Sequence, residues 1–405
     1  MSKVVGGVLL IVGTSIGAGI LALPAAVATT GFVTSSIALF FIWLLMTFNA
    51  LLLIEVNLWL PENSNMISMA RATLGLWGQV VAWLSYLLLL YSLLAAYISG
   101  GADVLGSLLK LAGIQSAPMT DAVLFTVVLG YVVYRGTRSI DYVNRMLMFF
   151  KLGSLVILLG LVLEKVALPR LNQGEPHYVF ATLMLMVNSF GFATILPSLR
   201  AYFKSDAKKL RKAVLWGSLI PLVCYILWDM AILGSLPIEG AYGLKHTYSS
   251  GHVTSDLMLH ISQFIHNAGI TDLSRLFTSI CVSTSFLGVS LGLSDFFADG
   301  LRTAKVGWGS VLVYGCTFAP PLVLVIFYPG LFAHALNYGG TFCLILLALL
   351  PTLMTYRGRY KKGMSGDFKM PGGKPILWFS FTVIVLLLIL SILDEFHLLP
   401  VYILQ

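Results

Sequence analysis

Apolar residues come in runs of about twenty along the whole chain, separated by short polar connections. A helix needs about 20 apolar residues to cross the hydrocarbon core, so such runs predict membrane-spanning helices. Eleven are expected, at about 4–29, 32–59, 77–105, 120–135, 140–163, 178–199, 211–235, 272–299, 308–327, 330–355 and 375–397. Two are interrupted near their centres by glycine: the first by Gly13-Thr14-Ser15-Ile16-Gly17-Ala18-Gly19, the sixth by Asn188-Ser189-Phe190-Gly191-Phe192. Irregular backbone survives at membrane depth only where protein or a water-filled cavity satisfies its polar groups. Interrupted spans at matching places in two halves point to the binding site of a secondary transporter.

Composition agrees with a polytopic all-α membrane protein, since 58% of residues are hydrophobic and only 10% charged. A net charge of +8 could suggest a nucleic-acid partner, but the basic residues occupy short connections. There the positive-inside rule explains them better. With the N-terminus in the cytoplasm, 20 of the 25 Lys and Arg residues fall on the cytoplasmic side, leaving Lys110, Lys165, Arg170, Lys245 and Arg275 outside. Eleven spans then put the C-terminus in the periplasm. Spans 1–5 (residues 1–165) and 6–10 (170–356) become five-helix units of opposite topology, an inverted repeat. Residues 357–405 add a basic cytoplasmic loop and span 11. Lys3 and the apolar run after it mimic a signal peptide, but another span follows directly, so the segment reads as span 1.

The connection 236–271 is the longest. Ser255-Asp256 ahead of Leu257, Met258 and Ile261 predicts a capped amphipathic helix over the external mouth. All seven histidines fall on the external side and read as solvated loop residues. The four cysteines have no metal-ligand spacing and no disulfide framework. No metal-ligand spacing or Ser–His pairing occurs within the spans. An intramembrane enzyme is therefore disfavoured, and neither a metal nor a cofactor is expected.

At the first break, freed N–H groups and the helix end beyond them suit a carboxylate. Gly17, Ala18 and Gly19 are small enough to let it approach, while freed carbonyls of Gly13 and Ile16 suit a cation or ammonium. At the second, Ser189 offers a hydroxyl, and Phe190 and Phe192 offer aromatic walls. Tyr91 in span 3 is a third candidate wall. Lys151, in span 5, is costly in lipid and marks either function or a side chain snorkelling to the cytoplasmic interface. Glu55, Asp295 and Asp299 lie near cytoplasmic ends, where charge is tolerated. Asp229 is deeper, in the outer part of span 7.

The motif Gly13-Thr14-Ser15-Ile16-Gly17-Ala18-Gly19-Ile20-Leu21-Ala22-Leu23-Pro24 resembles the first helix of the bacterial hydroxy and aromatic amino acid permeases. So do Ala95-Ala96-Tyr97-Ile98-Ser99-Gly100 and the run Thr284-Ser285-Phe286-Leu287-Gly288-Val289-Ser290-Leu291-Gly292-Leu293-Ser294-Asp295. The resemblance covers nearly the whole chain. It implies a LeuT-like fold with helices 1 and 6 broken, an inner-membrane location and proton-driven uptake of an aromatic amino acid, tyrosine foremost and tryptophan next. It assigns Thr14, Ser15, Gly17, Ala18 and Gly19 to main-chain recognition and matches Asn188, Ser189, Phe190, Gly191 and Phe192 to the second break. Ser285 joins the substrate site. Sodium-coupled relatives imply an ion site at Gly13, Ile16, Ser283 and Thr284. Lys151 beside that place implies proton coupling instead. Asp229 departs from the family pattern.

Overall fold

The computed structural model describes residues 3–62, 64–240, 242–265, 268–396 and 398, without the side chains of 137–142, 144–145, 264–265 and 268. His266 and His397 lie outside the described residues, as does the chain's C-terminal end. Every regular element among the described residues is a helix. The first half contains α1 (Lys3–Ser15), α2 (Gly19–Val27), α3 (Phe32–Leu58), α4 (Met66–Leu74), α5 (Leu76–Leu111), α6 (Pro118–Tyr134), α7 (Thr137–Leu163) and α8 (Leu168–Leu171). The second contains α9 (Val179–Ser189), α10 (Leu196–Tyr202), α11 (Ala207–Ser235), α12 (Leu244–Ser249), α13 (Val253–Ile265), α14 (Ala268–Gly300), α15 (Trp308–Phe327), α16 (Phe332–Leu344), α17 (Leu350–Lys361) and α18 (Gly373–Glu395). Among the described residues, nine helical segments are long and apolar enough to cross a membrane, and ten if the bent pair α1–α2 is one span. Helix α6, over the expected fourth span, is a shorter apolar helix of 17 residues.

Both predicted interruptions are breaks in the backbone. Helix α2 departs from α1 at 54° after Ser15. Helix α9 ends at Ser189, a 3₁₀ turn spans Gly191–Ile195, and α10 resumes at Leu196. A third irregularity, a π-helical turn at Ile345–Leu349, separates α16 from α17.

Helix α1 packs on α11, α14 on α5 and α7, and α16 on α5 and α9, so the breaks sit inside the bundle. Close approach depends on glycine. A Cβ on Gly340 of α16 would stand 1.9 Å from the Met184 carbonyl oxygen of α9, where backbone cannot yield. Gly31 has φ +86° and faces the Gln173 carbonyl at 2.2 Å from where its Cβ would be, allowing the turn before α3 to meet the turn before α9.

Polar side chains in the interior are tied. Arg359 of α17 makes a two-pronged pair with Glu55 of α3, and Glu55 also accepts from the Met370 N–H at 2.6 Å. That pair is buried, so Glu55 is held by protein groups rather than by solvent. Arg200 of α10 donates to the carbonyls of Asn57, Leu60 and Pro61 at the end of α3.

The connection between α11 and α14 differs in detail from its sequence reading. Helix α13 starts at Val253, two residues before the predicted cap, and its N-terminal groups are received by Asp103 of α5. Asp103 accepts from the Ser255 N–H at 2.8 Å, the Ser255 hydroxyl at 2.7 Å and the Thr254 hydroxyl. A carboxylate from another helix thus does the work expected of Ser255. His260 is not a solvated loop residue: it is buried, with Nδ1 2.8 Å from the Thr247 hydroxyl.

Two outcomes follow from this packing. Gly340→Ala is expected to lower stability by about 1–3 kcal/mol in thermal unfolding. Gly160→Ala, where a Cβ meets nothing within 4 Å, serves as the neutral control. His252, half-exposed, lies 3.0 Å from Asp103, and that hydrogen bond raises its pKa above the ordinary 6.5. A raised histidine pKa contributes stability that is complete below the ordinary value and lost as pH climbs through the folded one. The melting-temperature gap between wild type and His252→Gln should therefore be full below the ordinary histidine value and close as pH rises above it. A gap independent of pH would contradict the pairing.

Candidate functional site: the two helix breaks

In a continuous helix each N–H returns to the carbonyl four residues back. At the first break that ladder fails in a specific way. The Gly17 N–H turns to the Ser15 carbonyl at 2.8 Å, which frees the Gly13 carbonyl. The Ala18 N–H likewise leaves Thr14. Buried backbone groups without partners cost roughly 1–3 kcal/mol each, so other helices must supply them.

Three side chains do so. Lys151 of α7 directs Nζ at the Gly13 carbonyl at 3.4 Å and at the Thr284 hydroxyl of α14 at 3.3 Å. It is 1% exposed, so it does not snorkel to an interface. Ser285 of α14 accepts from the Ala18 N–H at 3.0 Å. A Cβ on Gly17 would come within 2.7 Å of that Ser285 oxygen, so glycine is what admits it. Tyr225 of α11 donates to the Ser15 carbonyl at 2.6 Å and lies 3.1 Å from the Ser189 carbonyl. Its single proton is shared between the two breaks.

The chemistry of the place is therefore bipolar. One end offers an N–H whose present acceptor is a hydroxyl, a seat that also suits a carboxylate oxygen. The other offers two carbonyls converging on one donor, which suits a primary ammonium. The Ser15 hydroxyl is buried at the break with no partner.

Most of the residues picked from sequence converge here. Ser15, Gly17, Ala18 and Gly19 line the first break. Ser189 faces Gly19, with 3.6 Å between its hydroxyl and the place of a Gly19 Cβ. Phe190 is fully buried with its ring edge-on to Tyr225, centroids 5.5 Å apart. Phe192 is buried as well. Gly191 faces Cys343 of α16, and Asn188 lies beside Gly339 of the same helix. Ile16 is buried, and Thr284 rather than its half-buried neighbour Ser283 meets Lys151.

Two candidates are not brought in. The Thr14 hydroxyl is spent on the Leu10 carbonyl of its own helix at 2.8 Å, and the residue is exposed. The Tyr91 hydroxyl donates to the Cys316 carbonyl of α15 at 2.7 Å. Four residues after Cys316 stands Pro320, which has no N–H to return to that carbonyl. Tyr91 fills that gap instead of walling the breaks. Conversely, Tyr225 was not singled out from sequence. The signal was a tyrosine hydroxyl at mid-span, which must find a partner when buried.

Two interrupted spans held open inside a helical bundle are the architecture of a membrane carrier, and comparison with known proteins agrees. Residues 1–391 match the tryptophan/tyrosine permease family, and the chain belongs to it. It is a multi-pass membrane protein of a bacterial family of amino-acid transport permeases, not an enzyme. It is 32% identical to the tyrosine-specific transport system 2 of Haemophilus influenzae, over 99% of this chain and 98% of that protein. It is 30% identical to a tryptophan-specific transport protein of Pseudomonas aeruginosa, over 99% and 97%. It is also 32% identical to glutamine transporter 2 of Aliivibrio fischeri, over 89% and 90%.

Removing a partner tests the arrangement. Ser285→Ala leaves the Ala18 N–H without its acceptor and is expected to lower ligand-free stability by about 1–3 kcal/mol. Tyr225→Phe strips the shared donor from two carbonyls and should behave alike, with uptake reduced. Tyr91→Phe affects only α15, so substrate affinity should stay within twofold of wild type. The checks are thermal unfolding and uptake in proteoliposomes.

Proposed function

We propose that this protein imports an aromatic amino acid, L-tyrosine foremost, by proton-coupled alternating access across the bacterial inner membrane. The observation that carries the reading is the set of side chains standing at the freed backbone groups of the two breaks. A zwitterion supplies both kinds of group at once. Its carboxylate can take the Ala18 N–H from Ser285, and its ammonium can serve the Ser15 and Ser189 carbonyls together, where Tyr225 has one proton for two. Phe190 and Phe192 then flank the side chain, and a ring pair adds roughly 0.5–1.5 kcal/mol beyond area burial.

In this reading α6 also crosses, giving eleven spans with the N-terminus cytoplasmic and the C-terminus periplasmic. Spans 1–5 and 6–10 form the inverted repeats of a LeuT-like fold. Spans 1, 2, 6 and 7 rock against the others. The partners are the amino acid, a proton and the lipid bilayer.

Proton coupling is favoured over sodium by Lys151. Its ammonium occupies the Gly13 carbonyl and Thr284 hydroxyl that a sodium ion would need. A cation could bind there only after displacing it. Neutral Lys151 would release the Gly13 carbonyl and loosen the first break, linking proton loss to rearrangement. Lys151→Ala should bind substrate and exchange it, yet fail to accumulate it against a gradient.

Tryptophan is the second reading for the substrate, favoured by the name of the Pseudomonas aeruginosa relative. Uptake of tyrosine, tryptophan, phenylalanine and glutamine into proteoliposomes, under imposed proton or sodium gradients, separates these readings. The expected result is tyrosine accumulation driven by a proton gradient without sodium. Uptake that requires sodium and ignores the proton gradient would overturn the coupling. Glutamine preferred to every aromatic would overturn the substrate class.

A further inference from the structure

Among the described residues, Asp229 is a buried carboxylate that neither the fold nor the breaks explain. It sits on α11, four residues beyond Tyr225 and so about 6 Å further along the axis. It is 0% exposed, and neither carboxylate oxygen has a hydrogen-bond partner. The neighbouring Trp228 indole N–H is also buried without one. Two other carboxylates of the interior are treated differently, and Asp121 of α6, buried as well, has one oxygen rather than two without a partner. Glu55 has Arg359 and a backbone N–H, and Asp103 has Thr254, Ser255 and His252.

The described elements packed on α11 bring no counter-charge to it. Helix α1 offers only Lys3, at its far end, and α2 has no charged residue. On α3, Glu55 is paired with Arg359. Lys151 of α7 is committed to Gly13 and Thr284, and Glu164 and Lys165 beyond that helix are exposed. Arg170 of α8 donates to the Ser235 carbonyl, at the end of α11. On α14, Phe277 lies tilted against Trp228 with ring centroids 5.6 Å apart, and Arg275 is paired with Asp272. An unpaired carboxylate so enclosed is costly enough that the group takes up a proton instead.

We propose that Asp229 is a proton-binding site of the transport cycle, a neutral carboxylic acid in this closed packing and a carboxylate when water reaches α11 beside the breaks. The inference rests on the proton-coupled reading and adds a second titratable group to it, independent of Lys151. The exchange is a simple acid–base step. Water opposite the outer side gives a proton to the carboxylate, and the acid returns one to water on the inner side. Its link to substrate is Tyr225, on the same face one turn away, whose hydroxyl holds both breaks.

The test is proton movement per amino acid in proteoliposomes, measured with a trapped pH dye alongside radiolabelled tyrosine, for wild type, Asp229→Asn and Asp229→Glu. Asp229→Asn keeps the shape of the neutral acid and cannot titrate. The expected result is one proton fewer per tyrosine than wild type and an uptake rate less dependent on external pH, with Asp229→Glu restoring both. Wild-type stoichiometry and pH profile in Asp229→Asn would overturn the proposal while leaving proton coupling intact. Wild-type uptake without any proton movement would defeat the coupling reading and this role with it. Infrared spectroscopy keeps the question open to decision if Asp229→Asn does not insert. A carboxylic-acid carbonyl band at neutral pH should move in Asp229→Glu, and a band that does not move would contradict the neutral acid.

Discussion

The structure depends on one constraint: a backbone N–H or carbonyl inside a membrane protein must have a partner. A continuous helix meets it internally. Breaking a helix in the middle of the bundle violates it at several atoms together, and the freed groups then dictate what the surrounding helices must present. Lys151, Ser285 and Tyr225 come from three different helices, α7, α14 and α11, and each ends at an atom that the breaks release. The glycines make this possible by admitting those side chains to the backbone, as Gly17 does for Ser285. In the proposed function these are the atoms that an amino acid's main chain would take, so binding would exchange one set of partners for another.

Much of this was legible in the sequence because lipid imposes long apolar runs and permits few exceptions. The spans could be read from hydropathy, and the breaks from glycine clusters in two of them. Lys151 stood out as a charge in an apolar run. What sequence could not give was direction around each helix axis. Tyr91 and Tyr97 lie on the same helix, yet one serves a carbonyl opposite Pro320 and the other is buried in the core. Tyr225 was silent because a tyrosine in a span is unremarkable until its hydroxyl is seen between two broken helices. The pairing of Glu55 was not legible because its partner Arg359 is 304 positions away, on a helix that runs further than its apolar stretch. Ser255 looked like a cap because local pattern cannot reveal that Asp103 arrives from α5.

Charge is handled in two ways within one interior. Arg359–Glu55 and Arg200 are fully engaged and join helix ends at one side of the bundle. Breaking a buried pair by removing one partner typically costs about 3–5 kcal/mol, so these are fixtures of the fold. Lys151 and Asp229 are engaged weakly or not at all, with long contacts for one and none for the other. Groups held so loosely are the ones that a change of protonation can move. Family membership fixes the class as an amino-acid permease, and relatives of similar identity are named for tyrosine, tryptophan and glutamine.

The central claim is that the backbone of both breaks binds the amino-acid main chain. Amide hydrogen exchange, read by mass spectrometry with and without saturating tyrosine, tests it directly. The account predicts that tyrosine slows exchange in peptides covering residues 15–20 and 189–195 together, more than in α15 or α18. Unchanged exchange at both breaks, with protection appearing in another part of the bundle, would contradict it.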